Sequence, residues 1–126
     1  MNFLRKFRNW EHVDEVGDGE VIFTENEPAD VLFVVLSGEV QLSLRGEVLA
    51  NEGEGGIVGE MAMIESADNS TTATAIGEVR LARVDRDQLR QVIAKNGDFS
   101  MHVMGVLANR LRSVDQYIAT HFGLPG

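Results

Sequence analysis

Residues 55–75 read GGIVGEMAMIESADNSTTATA, an apolar run followed by a polar string. The apolar part contains one carboxylate, Glu60, which lies between Gly59 and a methionine-rich segment. No Lys or Arg occurs between positions 46 and 79. A carboxylate is costly to bury unless a donor satisfies it. Glu60 therefore has two interpretations: a turn residue that faces water, or a residue that holds a ligand.

Around this stretch, glycines separate short β-branched and aliphatic runs at the spacing typical of a sandwich or barrel. Val40, Leu42 and Leu44 alternate with polar residues, which indicates a strand with one buried face. The dipeptides at 18–19 and 37–38, Asp-Gly and Ser-Gly, are predicted to form turns. The predicted strands are 21–23, 31–36, 40–44, 57–58, 71–76 and 79–84.

Helical signals flank the strand region. Apolar residues spaced by three and four predict a short amphipathic helix before residue 11, within an N-terminal segment 1–15. Asp85 and Gln88 form a capping box that predicts a helix over 86–95, and Asp98 is expected to cap a second helix over 99–119. The chain is predicted to be one domain, with a helical segment at 1–15, strands at 16–84 and helices at 85–120.

The second predicted helix has an apolar stripe with alternating spacings of three and four residues. That spacing is typical of a coiled-coil seam, so we expect a parallel homodimer. The alternative is that the stripe packs back onto the strand region of a monomer. The seam residues are Met104, Leu107, Leu111, Val114 and Ile118.

Composition argues against several classes of function. The formal net charge is −9, which disfavours binding to nucleic acid phosphates. The chain has no Cys and no apolar run long enough for a membrane span, so we expect a cytoplasmic protein without a membrane partner. Its three histidines flank the strand region, and no nucleophile elbow occurs, so we expect neither a metal site nor catalytic residues. The protein is not expected to be an enzyme.

The motif IVGEMAMI followed by NSTTATA resembles the phosphate-binding cassette of cyclic nucleotide-binding domains, of the catabolite activator protein and protein kinase A regulatory subunit type. Segments 19–23, 32–40 and 79–86 also resemble family blocks and occur in the family order. The resemblance implies a mainly β fold with flanking helices. That fold is a double-stranded β-helix, a cupin-like jelly roll or β-roll, followed by two C-terminal helices.

The resemblance also implies a binding site. Glu60 would accept a hydrogen bond from a ribose 2′-hydroxyl, and backbone N–H groups near Gly59 would face the cyclic phosphate. The family's phosphate-pairing arginine aligns with Asn69, so the cassette is degenerate there. The implied ligand-binding residues are Gly59, Glu60, Met61, Ala62, Asn69, Ser70, Thr71 and Thr72.

These features predict a regulatory domain that senses cyclic AMP, cyclic GMP or a related small ligand, without a required cofactor. It would report through its C-terminal helices to an unidentified regulated protein. In transcription factors of the family the long helix leads into a helix-turn-helix domain, and this sequence ends near that point, so a nucleic acid partner is not expected. The alternative is a ligand-free dimerisation or protein-interaction module that has lost nucleotide binding.

Overall fold

The computed structural model describes residues 7, 9–60, 62, 67–95 and 97–122. Their order along the chain is six strands followed by two helices, as the predicted fold class requires. The elements are β1 (Val13–Val16), β2 (Val21–Phe23), β3 (Val31–Leu44), β4 (Glu47–Glu52), β5 (Ile57–Val58), β6 (Thr72–Asp85), α1 (Arg86–Lys95) and α2 (Gly97–Phe122).

The two long strands β3 and β6 form the centre of the sheet. They pair antiparallel from Val31 opposite Asp85 to Ser43 opposite Thr72. β1 and β2 pair with β6, and β4 and β5 pair with β3, also antiparallel. The short strand β5 therefore lies beside the first half of β3, and the chain that follows β5 begins at this edge.

Both faces of the central strands are buried. Successive side chains of a strand point to opposite faces, and in β3 Leu32 and Val34 join one apolar cluster while Phe33 and Val35 join another. The first cluster lies under the helices and includes Phe99, Val103 and Val106 of α2. The second fills the interior of the strand region. This arrangement anchors α2 to the same strands that frame the cleft described below.

The predicted turn at Ser37-Gly38 is wrong, because β3 runs through it. The pairing register shifts on either side of Ser37, which marks a bulge. Gly38 has φ +90, and a Cβ there would lie 2.4 Å from the Glu78 carbonyl oxygen. The hairpin turns instead at Arg45-Gly46, where both φ angles are positive, as a type I′ turn requires. Segments 71–76 and 79–84 likewise belong to one strand, β6.

Three further differences concern element ends. Strand β4 was not predicted, because half of its sequence EVLANE is polar and none of its residues is buried. β1 (Val13–Val16) pairs with β6, so the predicted helical segment 1–15 is wrong at residues 13–15. α2 begins at Gly97, which places Asp98 inside its first turn and not before it.

The helix α1 matches its prediction, with the bounds Arg86–Lys95. The capping box before it is also confirmed. The Asp85 N–H donates to Gln88 Oε1 at 2.9 Å, and the Gln88 N–H donates to Asp85 Oδ1 at 2.8 Å. These reciprocal bonds satisfy donors that the first turn of a helix leaves unpaired, so the strand-to-helix junction is fixed by four consecutive residues.

Candidate ligand-binding site

A cleft opens between the segment after β5 and the segment before β6. The cleft is narrow, with a cavity volume of about 10 Å³. Six of the eight predicted ligand-binding residues line it; Thr72 does not, and Met61 lies outside the described residues. The lining residues are Phe23, Leu42, Gly59, Glu60, Ala62, Asn69, Ser70 and Thr71.

Glu60 is buried on one side of this cleft, with 2% of its surface exposed. It follows β5, whose pairing with β3 fixes the direction in which the chain leaves the sheet. The preceding Gly59 has φ +83, and a Cβ there would lie 3.3 Å from the Val31 carbonyl oxygen. The interpretation of Glu60 as a water-facing turn residue is therefore wrong.

Asn69 is buried on the opposite side, with 5% of its surface exposed. Its backbone is held by the loop after β2. The Asn26 N–H donates to the Asn69 carbonyl at 2.8 Å, and the Asn69 N–H donates to the Glu27 carbonyl at 2.9 Å. Its side-chain amide forms no hydrogen bond to another described residue. Asn69 is one of the residues that line the cleft.

Glu25 was not predicted and holds the start of β6 beside the cleft. The Thr72 hydroxyl donates to Glu25 Oε1 at 3.1 Å, and the Arg45 N–H donates to both carboxylate oxygens at 3.1 and 3.2 Å. The Glu25 N–H in turn donates to Thr72 Oγ1 at 3.1 Å. Thr72 is thus bonded to Glu25, which explains why it does not line the cleft.

Two apolar residues that line the cleft, Leu42 and Phe23, were not predicted as site residues. Leu42 belongs to the alternating run in β3, so its burial was predictable although its place in the cleft was not. Phe23 stacks on Phe33 with ring centroids 6.3 Å apart and planes 14° apart. Nothing in the local sequence indicates this aromatic wall, because the two rings come from different strands.

The described lining of the cleft offers little positive charge to a ligand. Among its described lining residues Glu60 is the ionisable one, and the others are apolar, amide or hydroxyl side chains. Asn69 stands at the position where the resemblance places an arginine. Glu60 and Asn69 both come from the part of the sequence, 46–79, that has no Lys or Arg, and the two lining residues outside it, Phe23 and Leu42, are apolar.

The predicted seam of α2 is partly buried and partly exposed. Met104 is 55% exposed and Leu111 is 61% exposed, so neither packs back onto the strands. Leu107 is half-buried and packs against the cluster under the helices, and Ile118 is half-buried. The side chain of Val114 lies outside the description. Two large apolar side chains of the stripe thus face solvent in the single chain.

A family model described as the cyclic nucleotide-binding domain matches residues 13–96. This match covers every described strand, α1, and both sides of the cleft. The chain belongs to the cyclic nucleotide-binding domain family. It is a regulatory ligand-sensing domain with the β-roll fold of that family, as the sequence predicted.

Similar proteins agree with this assignment. The chain is 34% identical over 106 residues to a CRP-like cAMP-activated global transcriptional regulator of Mycobacterium tuberculosis, with 80% of this chain and 47% of that protein covered. A cyclic nucleotide-binding domain from Methylobacillus flagellatus KT is 26% identical with a TM-score of 0.72, covering 89% of this chain and 68% of that one. The catabolite activator protein of Thermus thermophilus is 25% identical with a TM-score of 0.71, covering 86% and 54%.

The chain spans less than half the length of the mycobacterial regulator that it matches. Among the helices that the structure describes, none has the length and apolar character needed to cross a membrane.

Proposed function

We propose that the cleft binds a ribose-containing ligand of the cyclic nucleotide class. The buried carboxylate of Glu60, which lines an open cleft at 2% exposure, is the observation that carries this proposal. A buried carboxylate is an acceptor that favours hydroxyl donors, and the ribose 2′-hydroxyl is such a donor. The family membership and the cAMP-activated relative support a cyclic nucleotide as the ligand class.

In this proposal the two sides of the cleft have different roles. Glu60 accepts the ribose hydroxyl, and the backbone N–H groups of Gly59 and Ala62 face the phosphate. On the other side Asn69, Ser70 and Thr71 supply neutral donors, which are roughly half as strong as charge-assisted ones. Because a hydrogen bond to a charged group contributes about 1.5–3 kcal/mol, the missing arginine weakens cyclic nucleotide binding by about 10- to 150-fold.

The route by which the domain reports a ligand is supported by one contact of α2. His102 Nε2 lies 2.6 Å from the Gly55 carbonyl oxygen, in the loop that leads into β5. β5 in turn leads directly to Gly59 and Glu60. A ligand that shifts the Glu60 segment would therefore act on α2 through a short stretch of chain.

The experiment is calorimetry with cyclic AMP and cyclic GMP on the wild type and Glu60→Gln. This substitution keeps the size of the side chain and removes its charge, so affinity falls by about 10- to 150-fold. Glu78→Gln is the matched control, because Glu78 is exposed and does not line the cleft. Equal affinities of wild type and Glu60→Gln would contradict the proposal.

We also propose that α2 pairs with α2 of a second copy. The exposed side chains of Met104 and Leu111 support this, since an apolar stripe at heptad spacing is buried by association. Sedimentation of the wild type and Leu111→Glu tests it, with Gln116→Glu as a control that adds a carboxylate off the stripe. A monomeric wild type would contradict pairing. A dimer that binds no nucleotide would instead favour the ligand-free interaction module.

The regulated partner is proposed to be a protein in the cytoplasm. The net charge of −9 supports a protein over a nucleic acid, because the phosphate backbone is repelled by an acidic surface. The absence of cysteine from the sequence agrees with that compartment.

A further inference from the structure

The cleft lacks the charge that an anionic ligand needs. Six of its eight described lining residues come from the stretch 46–79, which has no Lys or Arg, and Glu60 places a carboxylate among them. Further carboxylates flank the Asn69 side. The Glu25 carboxylate accepts a hydrogen bond from the Thr72 hydroxyl. Asp68, which pairs with Pro28 in an isolated β-bridge, immediately precedes Asn69. The described lining residues therefore supply no cation to an anionic ligand, which disfavours its binding.

The polar groups that remain are suited to hydroxyl groups. The Asn69 amide is buried, lines the cleft and forms no hydrogen bond to another described residue. An amide both donates and accepts, and so do the hydroxyls of Ser70 and Thr71. A phosphate oxygen only accepts, so it can pair with the donors of these three side chains and leaves their acceptors unused. A sugar hydroxyl also both donates and accepts and can use all of it.

We infer that the cleft selects uncharged ribosides, meaning nucleosides, over their 3′,5′-cyclic monophosphates. The inference rests on the proposed function, since it assigns the same ribose contact to Glu60 and changes the ligand class on the Asn69 side. A nucleoside presents 3′- and 5′-hydroxyls where the cyclic phosphate would lie. Those hydroxyls meet Asn69, Ser70 and Thr71 without bringing a charge towards Glu60. The expected preference is about tenfold or more in affinity.

The test is calorimetry with adenosine, guanosine, cyclic AMP and cyclic GMP. The wild type should bind each nucleoside about tenfold or more tightly than its cyclic monophosphate. Asn69→Arg should shift this ratio towards the cyclic monophosphate by about 10- to 150-fold, because it supplies a charge-assisted donor. Gln91→Arg is the matched control, since it adds the same charge on the exposed face of α1 and should leave the ratio unchanged.

Asn69 is buried, so its arginine variant is checked by thermal unfolding, and Ser70→Arg provides a second variant. Ser70 is exposed at the edge of the cleft, so an arginine there has room in solvent and should shift the ratio in the same direction. If neither variant shifts the ratio, the inference is overturned.

The failure of the inference is distinguishable from that of the proposed function. A wild type that prefers the cyclic monophosphates, and loses them in Glu60→Gln, overturns the inference and leaves the proposed function standing. A protein that binds neither class overturns both. Nucleoside binding that survives Glu60→Gln unchanged would place the nucleoside outside this cleft, and the inference would again be wrong.

Discussion

Glu60 and Asn69 line the same cleft, yet the fold holds them by different means. Glu60 follows β5, which is paired to the central strand β3, and its neighbour Gly59 is pressed against Val31. Asn69 lies outside any strand, and its backbone is held by two hydrogen bonds to the loop at 26–27. The first side depends on the core of the roll, whereas the second depends on an exposed loop.

This difference bears on Asn69, the position where the resemblance places an arginine. A change at the Glu60 side disturbs the pairing of β5 and the packing around Gly59, so it costs stability as well as binding. A change at the Asn69 side alters a side chain that forms no hydrogen bond to another described residue. Loops tolerate such changes better than cores do. The ligand chemistry can therefore change at Asn69 while the fold persists.

The largest effect is expected from Gly59→Ala. The side chain would have to adopt φ +83, which costs about 1–2 kcal/mol for an L-residue. Its Cβ would also lie 3.3 Å from the Val31 carbonyl oxygen, so the paired strand must shift. We expect a loss of about 2–3 kcal/mol in the free energy of unfolding, measured in urea, and a loss of ligand binding.

Gly19→Ala is the control for this variant. Gly19 has nearly the same φ, +80, but nothing lies within 4 Å of a Cβ there. It should lose about 1–2 kcal/mol from the backbone alone and keep its ligand affinity. If the two variants lose equal stability, the Glu60 side is not held by packing against β3, and the comparison fails.

Glu25→Ala should have the next largest effect. It removes the carboxylate that accepts from the Thr72 hydroxyl and the Arg45 N–H, so about 1–2 kcal/mol of stability should be lost in urea unfolding. Ligand affinity should fall several-fold, because the start of β6 next to Thr71 is released. Glu25→Gln should lose less, since its carbonyl oxygen still accepts. Glu27→Ala removes an exposed carboxylate nearby and should change stability by less than about 0.5 kcal/mol.

The features predicted correctly from the sequence were those with local causes. The capping box of Asp85 and Gln88 joins residues three apart, and the alternation of Val40, Leu42 and Leu44 reports one buried face of one strand. The placement of the hairpin turn was not local. Ser37-Gly38 forms a bulge because β3 continues through it and stays paired with β6. The hairpin turn lies at Arg45-Gly46 instead.

The residues missed at the site have long-range causes. Glu25 and Thr72 are 47 residues apart in the sequence, and no short motif links them. Phe23 gains its place in the cleft by stacking on a residue of another strand. By contrast Glu60 and Asn69, which the resemblance names together, do line one cleft, because their spacing within 55–75 is a property of a single segment.

The smallest effect is expected from Asn26→Gly, and it separates the two sides most sharply. Asn26 has φ 68, which asparagine tolerates and glycine adopts freely, and its N–H donates to the Asn69 carbonyl at 2.8 Å. Glycine keeps that N–H and that φ, so stability in urea should change by less than about 0.5 kcal/mol. Nucleoside affinity should stay within about twofold, since Asn69 remains tied to the loop. Asn26→Ala keeps the N–H but disfavours the φ, and should lose about 1 kcal/mol. If Asn26→Gly instead reduced stability and affinity as strongly as Gly59→Ala, the loop side would be constrained as tightly as the strand side. The absence of arginine at Asn69 could then no longer be explained by looser structural constraint.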